Sequence, residues 1–179
     1  LVGWAAVTGR VGLPALVMFA IIFYWTPPHF WALSLRYADD YAAAKVPMLP
    51  VVQGRAATAR HIVLYTASLL GISLVLAVWL GPIYLVTAVF LGALFLRRAL
   101  ALYKVPDDNR EAMRLFHFSI AHLSLLFVAM AADRLIGGSL TDVASTVVVI
   151  TGAGIFALFQ VAIGVEALRW RRRAATVGA

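Results

Sequence analysis

The sequence contains no cysteine, few acidic residues and little charge of either sign. Without cysteine there is no disulfide, no thiolate metal site and no thiol nucleophile. Charged residues fill 13% of the 179 positions, about half the share found in a soluble domain of this size. Hydrophobic residues fill 63%, which excludes an ordinary soluble fold. Also absent are an initiating methionine, a charged n-region and a cleavage site. Leu1 already lies in an apolar run, and the chain is therefore read as part of something longer, with N-terminal helices missing.

What is present is a series of apolar runs long enough to cross a roughly 30 Å hydrocarbon core. Leu1 to Thr8 reads as the tail of a preceding span and 9–12 as a turn. Full spans follow at 13–35, 61–80, 83–102, 116–136 and 143–168, with polar loops at 36–60 and 103–114 and a short turn at 137–142. The expected fold is all-α, a polytopic transmembrane helical bundle. The chain ends in the basic cluster Arg169-Trp170-Arg171-Arg172-Arg173.

The net charge of +7 is explained by where the basic residues sit. Alternating spans place 36–60, 97–114 and the C-terminal cluster on one side, holding thirteen of the fifteen lysines and arginines. Short loops rich in Lys and Arg stay cytoplasmic. The polar loops and C-terminus are thus expected in the cytoplasm, with the chain multi-pass in a bacterial-type inner membrane and its basic charge facing lipid headgroups. Nucleic acid is excluded as a partner, since no stacking aromatics alternate with basic residues in a soluble fold.

The stretch 24–50, YWTPPHFWALSLRYADDYAAAKVPMLP, concentrates the titratable groups. Asp39, Asp40, Arg36 and Lys45 lie within ten residues at a membrane–water boundary. Two carboxylates there can hold Mg²⁺, the metal can hold a diphosphate, and the basic side chains can complement the remaining charge. The plainer alternative, an ordinary solvated loop obeying the positive-inside rule, stays open on composition alone. Pro27-Pro28 predicts a kink near residues 23–26. His29 sits inside the membrane, where an ionisable group is by default functional; haem ligation, proton relay and a plain interhelical hydrogen bond all suit it. If helix continues past the bilayer edge, His29, Arg36 and Asp40 share one face, their offsets of 7 and 11 residues returning to within about 20°.

Trp25 to Leu33 (WTPPHFWAL), Asp40 to Ala44 (DYAAA) and Pro47 to Pro50 (PMLP) resemble the haem O synthases, a branch of the UbiA-type intramembrane prenyltransferases. Leu1-Val2-Gly3-Trp4 is similar to the end of the family's fifth helix, and Leu115 to Ser119 with Leu123, Leu126 and Phe127 to its ninth. The resemblance covers about 1–136, the C-terminal part of such a domain, with 137–179 an extra transmembrane helix and basic tail. It implies nine helices around a cavity in which two aspartate-rich motifs face each other. The implied reaction transfers farnesyl from farnesyl diphosphate to a vinyl group of haem B, giving haem O and diphosphate. It implies Asp40 and His29 as catalytic residues; from the chemistry of the loop, Asp39 joins Asp40 as an expected ligand of a diphosphate-bound Mg²⁺. Arg36, Tyr37, Tyr41, Lys45 and Trp25 are the expected substrate contacts. Haem A synthase and cytochrome oxidase assembly are the implied downstream partners.

The family's first aspartate motif is absent here, so residues 1–179 alone are expected to be inactive and to leave an open groove. In the second motif, Arg36 and Ala44 flank Asp40 at four residues. That single-Asp form favours the haem branch over quinone-directed relatives, although another UbiA-type enzyme and a non-catalytic membrane subunit or permease remain as alternatives. His61 is expected at a lipid headgroup, and His117 and His122 are weaker porphyrin candidates. Asp133 and Arg134 are expected as an interfacial pair, and Gly152 and Gly164 as sites of close helix packing.

Overall fold

The computed structural model describes residues 1–136 and 142–177. These form helices α1 (Val2–Thr8), α2 (Leu13–Arg36), α3 (Ala38–Ala43), α4 (Leu49–Gln53), α5 (Arg55–Leu76), α6 (Pro82–Lys104), α7 (Asn109–Ile136) and α8 (Asp142–Val177), with one 3-10 turn, Ala77–Trp79, after α5. Among the described residues there is no strand, and the all-α expectation holds. Five helices are long and apolar enough to cross a membrane, making this a multi-pass membrane protein. The turn expected at 137–142 falls, up to residue 141, outside the described residues, as do the side chains of Trp170, Arg171 and Arg173.

Helices α2, α5, α6 and α7 form a four-membered ring in which each packs on the next, and α8 lies against α5. The core is filled by Ile21, Leu35, Ile62, Leu69, Phe95, Leu102, Leu115 and Leu126, each fully or almost fully buried. Buried hydroxyls mostly donate to backbone carbonyls: Ser73 to that of Leu69 at 2.7 Å and Tyr84, across to α5, to that of Ser73 at 3.0 Å, whereas Thr66 Oγ1 has no partner among the described residues. Such internal donation is favoured where no water is available. Large apolar side chains such as Phe19, Phe23, Phe90 and Val128 point outward, as a lipid-facing surface permits.

The structure refines the expected boundaries. The 36–60 loop is largely helical, containing α3 and α4, and α5 begins at Arg55 rather than His61. Likewise the 103–114 loop shrinks to 105–108, because α6 runs to Lys104 and α7 starts at Asn109. Pro27 and Pro28 lie inside α2 without interrupting it. The interruption comes instead at Tyr37, whose φ of −109° and ψ of 27° end α2. Asp39 and Asp40 then occupy the first turn of α3, where carboxylates favour a new helix start. Asp40 therefore sits on a separate helix, and the continuous stripe from His29 through Arg36 to Asp40 does not form.

Candidate functional site

His29 is held between α2 and α7. Its ring stacks on Trp25 (centroids 4.4 Å apart) and on Phe116 (4.6 Å), one on each face. Its Nδ1 lies 2.7 Å from Ser119 Oγ, and that hydroxyl donates to the Phe116 carbonyl at 2.6 Å. A hydroxyl has one proton to give. In the arrangement where Ser119 donates to the Phe116 carbonyl, its Oγ accepts from Nδ1–H. Nε2 is left with its lone pair and no hydrogen-bond partner among the described residues. Trp25 Nε1 donates to the Ser119 carbonyl at 2.8 Å, fastening the same two helices again. The faces of the imidazole are covered, and only the edge bearing Nε2 can meet a ligand.

About two turns along α2 from His29, Arg36 is exposed with its guanidinium 5.6 Å from the Tyr37 ring centroid. Beyond the Tyr37 break, α3 presents Asp39 and Asp40, both exposed, and the half-buried Tyr41. The end of α3 is a Schellman motif: Lys45 N–H donates to the Ala42 carbonyl at 3.0 Å and Val46 N–H to that of Tyr41 at 2.9 Å. Lys45 takes the left-handed position with φ of 56°, usually left to glycine because a Cβ crowds the backbone there. Gly54, at φ 84° and ψ 165°, then joins α4 directly to α5.

The sequence reading missed Arg55, the first residue of α5. Its Nη1 donates to the Leu35 carbonyl at 2.6 Å, near the end of α2, and its Nη2 to Asn109 Oδ1 at 2.7 Å. Nε reaches the Pro106 carbonyl at 3.2 Å and pairs with Asp107 at 3.1 Å. Arg55 thus gathers the end of α2, the 105–108 loop and the start of α7 at one end of the bundle. A signal was present, since an arginine opening a helix, away from its favoured C-terminal end, asks for an anionic or carbonyl partner.

The other acids at this end are engaged. Asp107 pairs with Arg55, Asp108 accepts from the Arg110 backbone N–H at 2.8 Å, Glu111 pairs with Arg114, and Glu166 pairs with Arg60 and Arg169. Asp39 and Asp40 make no ion pair or side-chain hydrogen bond among the described residues. They offer two separate carboxylates, since consecutive helical positions point about 100° apart. No cluster of three or more metal-ligating side chains exists among the described residues. Two carboxylates nonetheless suit Mg²⁺, which is usually held through one or two plus substrate phosphates and water.

Several secondary expectations change. His61 lies within α5 and packs against Trp31 (5.9 Å) rather than facing a headgroup alone. His122 is buried between α6 and α7 against Phe95 (5.0 Å) and cannot meet a porphyrin, whereas His117 is exposed. Asp133 and Arg134 do not pair. The Asp133 carboxylate accepts from the backbone N–H groups of Gly81, Ile83 and Tyr84 at the start of α6, and Arg134 donates to the Trp79 carbonyl. Gly152 does pack closely, against Gly71, but Gly164 has nothing against it.

The family model described as the UbiA prenyltransferase family matches residues 1–125, a stretch that contains the His29 cluster, α3 and Arg55. The chain belongs to the UbiA prenyltransferase family. It is 55% identical over 140 residues to a protein named protoheme IX farnesyltransferase from Synechococcus elongatus, covering 76% of this chain and 44% of that one. Its likeness to the protein of that name from Gloeobacter violaceus is 53% over 137 residues, 75% of this chain and 45% of the relative. With the one from Thermus thermophilus it shares 50% over 136 residues, 75% of this chain and 22% of the relative. The chain thus spans less than half the length of these curated relatives. No solved structure matches it. Within a UbiA chain, the loop-end carboxylates of α3 and the membrane-embedded His29 fall in the matched segment, while α8 lies wholly outside it.

Proposed function

We propose that this chain belongs to an enzyme transferring farnesyl from farnesyl diphosphate to a vinyl group of protohaem IX, giving haem O and diphosphate. The reading rests on the two unengaged carboxylates of α3, at an end of the bundle where the other described acids are occupied; the names of the relatives supply the substrates. Residues 1–136 form part of the prenyltransferase domain and 137–179 an added helix and tail. The polar loops and C-terminus are cytoplasmic, in the inner membrane.

Asp40, with Asp39, would hold Mg²⁺, which when bound would supply charge neutralisation to the diphosphate leaving group. Arg36 and Lys45 complement the remaining phosphate charge, and Tyr37 and Tyr41 border it. The C1–O bond of farnesyl diphosphate breaks with its electron pair on diphosphate. The vinyl carbon bonds to the allylic cation, water adds to the resulting cation, and one proton leaves. Trp25 and the bundle interior shield the cation from premature capture by water. His29 meets haem iron through Nε2, with Nδ1–H fixed by Ser119 as ligating histidines are usually fixed from behind. An open Nε2 also fits acceptance of the proton released when water adds.

The test uses the enzyme in its native membrane. Asp40→Asn should lower haem O formation at least about a hundredfold with haem binding retained, and His29→Ala should weaken the Soret response with farnesyl diphosphate binding retained. Ser119→Ala should weaken it less than His29→Ala does. An unchanged Soret response with turnover lost transfers His29 to the proton role. A prenylated quinone product with no haem O would overturn the substrate assignment.

A further inference from the structure

Helix α8 lies beyond the family match and looks, from sequence, like an appended anchor. Its contacts are those of a fitted part. Near its start Gly152 crosses Gly71 of α5 so closely that a Cβ on Gly152 would stand 2.8 Å from the Gly71 carbonyl and 2.9 Å from Leu74 Cβ. A Cβ on Gly71 would stand 2.6 Å from the Phe156 backbone nitrogen. About 21 Å further along, at 1.5 Å per residue, Glu166 pairs with Arg60 of α5 at 3.0 Å. Between them Gln160 uses both ends of its amide. Its Oε1 accepts from Tyr24 Oη at 2.9 Å, and its Nε2 donates to Ser68 Oγ at 3.2 Å. An amide within a membrane is tolerated when its groups are satisfied, and here both partners lie on the family's own helices, α2 and α5.

Tyr24 precedes Trp25 directly and stands four residues, about one turn, before Pro28 and five before His29. Its ring also meets Phe156 of α8 edge-on at 5.1 Å and Tyr65 of α5 at 5.8 Å. On the far side of α2, Trp25 and His29 are tied to α7. Rotation of α2 about its axis is therefore opposed from two sides: Tyr24 toward α8, Trp25 and His29 toward α7. This matters because the only open edge of His29 is Nε2, and an ångström of misplacement at such an atom costs heavily in reactivity.

We propose that α8 is a brace for α2, and that Gln160 is a positioning residue acting through Tyr24 on the Trp25–His29 cluster. The functional consequence rests on the reading of His29 as the haem contact; the mechanical claim does not.

These 179 residues contain no cysteine, so labels are placed on introduced cysteines after any cysteine elsewhere in the full chain is replaced. Spin labels on Phe30→Cys of α2 and Ala121→Cys of α7, both exposed positions, report the spacing of those helices without any substrate. Gln160→Leu, an apolar exchange suited to a membrane helix, should shift or broaden that distance distribution, and Tyr24→Phe should do the same. The double variant should go no further than either single one, because both break one link. In the same variants the haem dissociation constant from Soret titration should rise at least about fivefold, with the KM for farnesyl diphosphate unchanged. A short bifunctional thiol reagent should join Arg60→Cys to Glu166→Cys in native membranes, confirming the seat of α8. Failure of that cross-link, or an unchanged label distance in Gln160→Leu, overturns the brace. A shifted distance with no Soret response even in the unaltered protein would sink the haem reading and leave the brace standing.

Discussion

Replacing Arg55 with alanine removes the clamp at the loop end of the bundle. Two of its bonds are short and come from a charged donor on a side chain only 25% exposed: 2.6 Å to the Leu35 carbonyl and 2.7 Å to Asn109 Oδ1. Each contributes about 1–2 kcal/mol after discounting for partial exposure. The Nε group, shared between the Pro106 carbonyl and Asp107, adds less, because the Asp107 side chain is 86% exposed and water screens the pair to under about 1 kcal/mol. Leu35 is fully buried, and its carbonyl, near the end of α2, has no later helical N–H to accept from. Without Arg55 that carbonyl loses its partner. The expected loss is about 2–4 kcal/mol, measured by reversible denaturation in mixed detergent micelles. The 105–108 loop should also become cleavable by protease well below the unfolding midpoint. Arg55→Lys should recover less than half of the loss, since an ammonium is a point donor and cannot fork between Leu35 and Asn109. An alanine variant within about 0.5 kcal/mol of the parent, with the loop still protected, would refute the clamp.

Asp133→Ala should cost about 2–4 kcal/mol in the same denaturation assay, because three backbone N–H groups at the start of α6 lose their acceptor in an apolar setting. Asp133→Asn, which keeps one carbonyl oxygen, should recover part of that, and equal losses for both variants would argue against capping. Gly54→Ala should cost about 1–3 kcal/mol from backbone conformation alone, as a Cβ there meets nothing within 4 Å. A Gly54→Ala protein as stable as the parent would show that the α4–α5 junction relaxes without strain.

Spans and fold class were legible because apolar run length is a one-dimensional property of the chain. The Lys and Arg asymmetry likewise places the two polar loops at one end, where Arg55 joins them. What the sequence could not show was partnership. Asp133 and Arg134 are neighbours in the chain, yet successive helical residues point about 100° apart; one caps α6 and the other reaches Trp79. His117 and His122 were the candidates on α7, and Ser119 between them was not. Packing buries His122 against Phe95 and turns Ser119 toward His29, across 90 residues of chain. The end of the first span at 35 was legible and matches α2, but the stripe from His29 to Asp40 failed for a different reason. Periodicity assumes a continuous helix, whereas the acid-rich start of α3 favours a fresh N-terminus.

The two ends of the bundle treat their acids differently, and the proposed function rests on that difference rather than on any single residue. At the far end the buried carboxylate of Asp133 accepts from three backbone donors and is engaged in capping α6. At the loop end, Asp107, Asp108, Glu111 and Glu166 are engaged in holding helices and turns, while Asp39 and Asp40 face solvent without a partner among the described residues. Arg36 is close in sequence but rests on the Tyr37 ring, and Lys45 is committed by its backbone to the turn that ends α3. On the function proposed above, a divalent ion arriving with a diphosphate would meet these two carboxylates, and the exposed side chains of Arg36 and Lys45 would complement the phosphate charge.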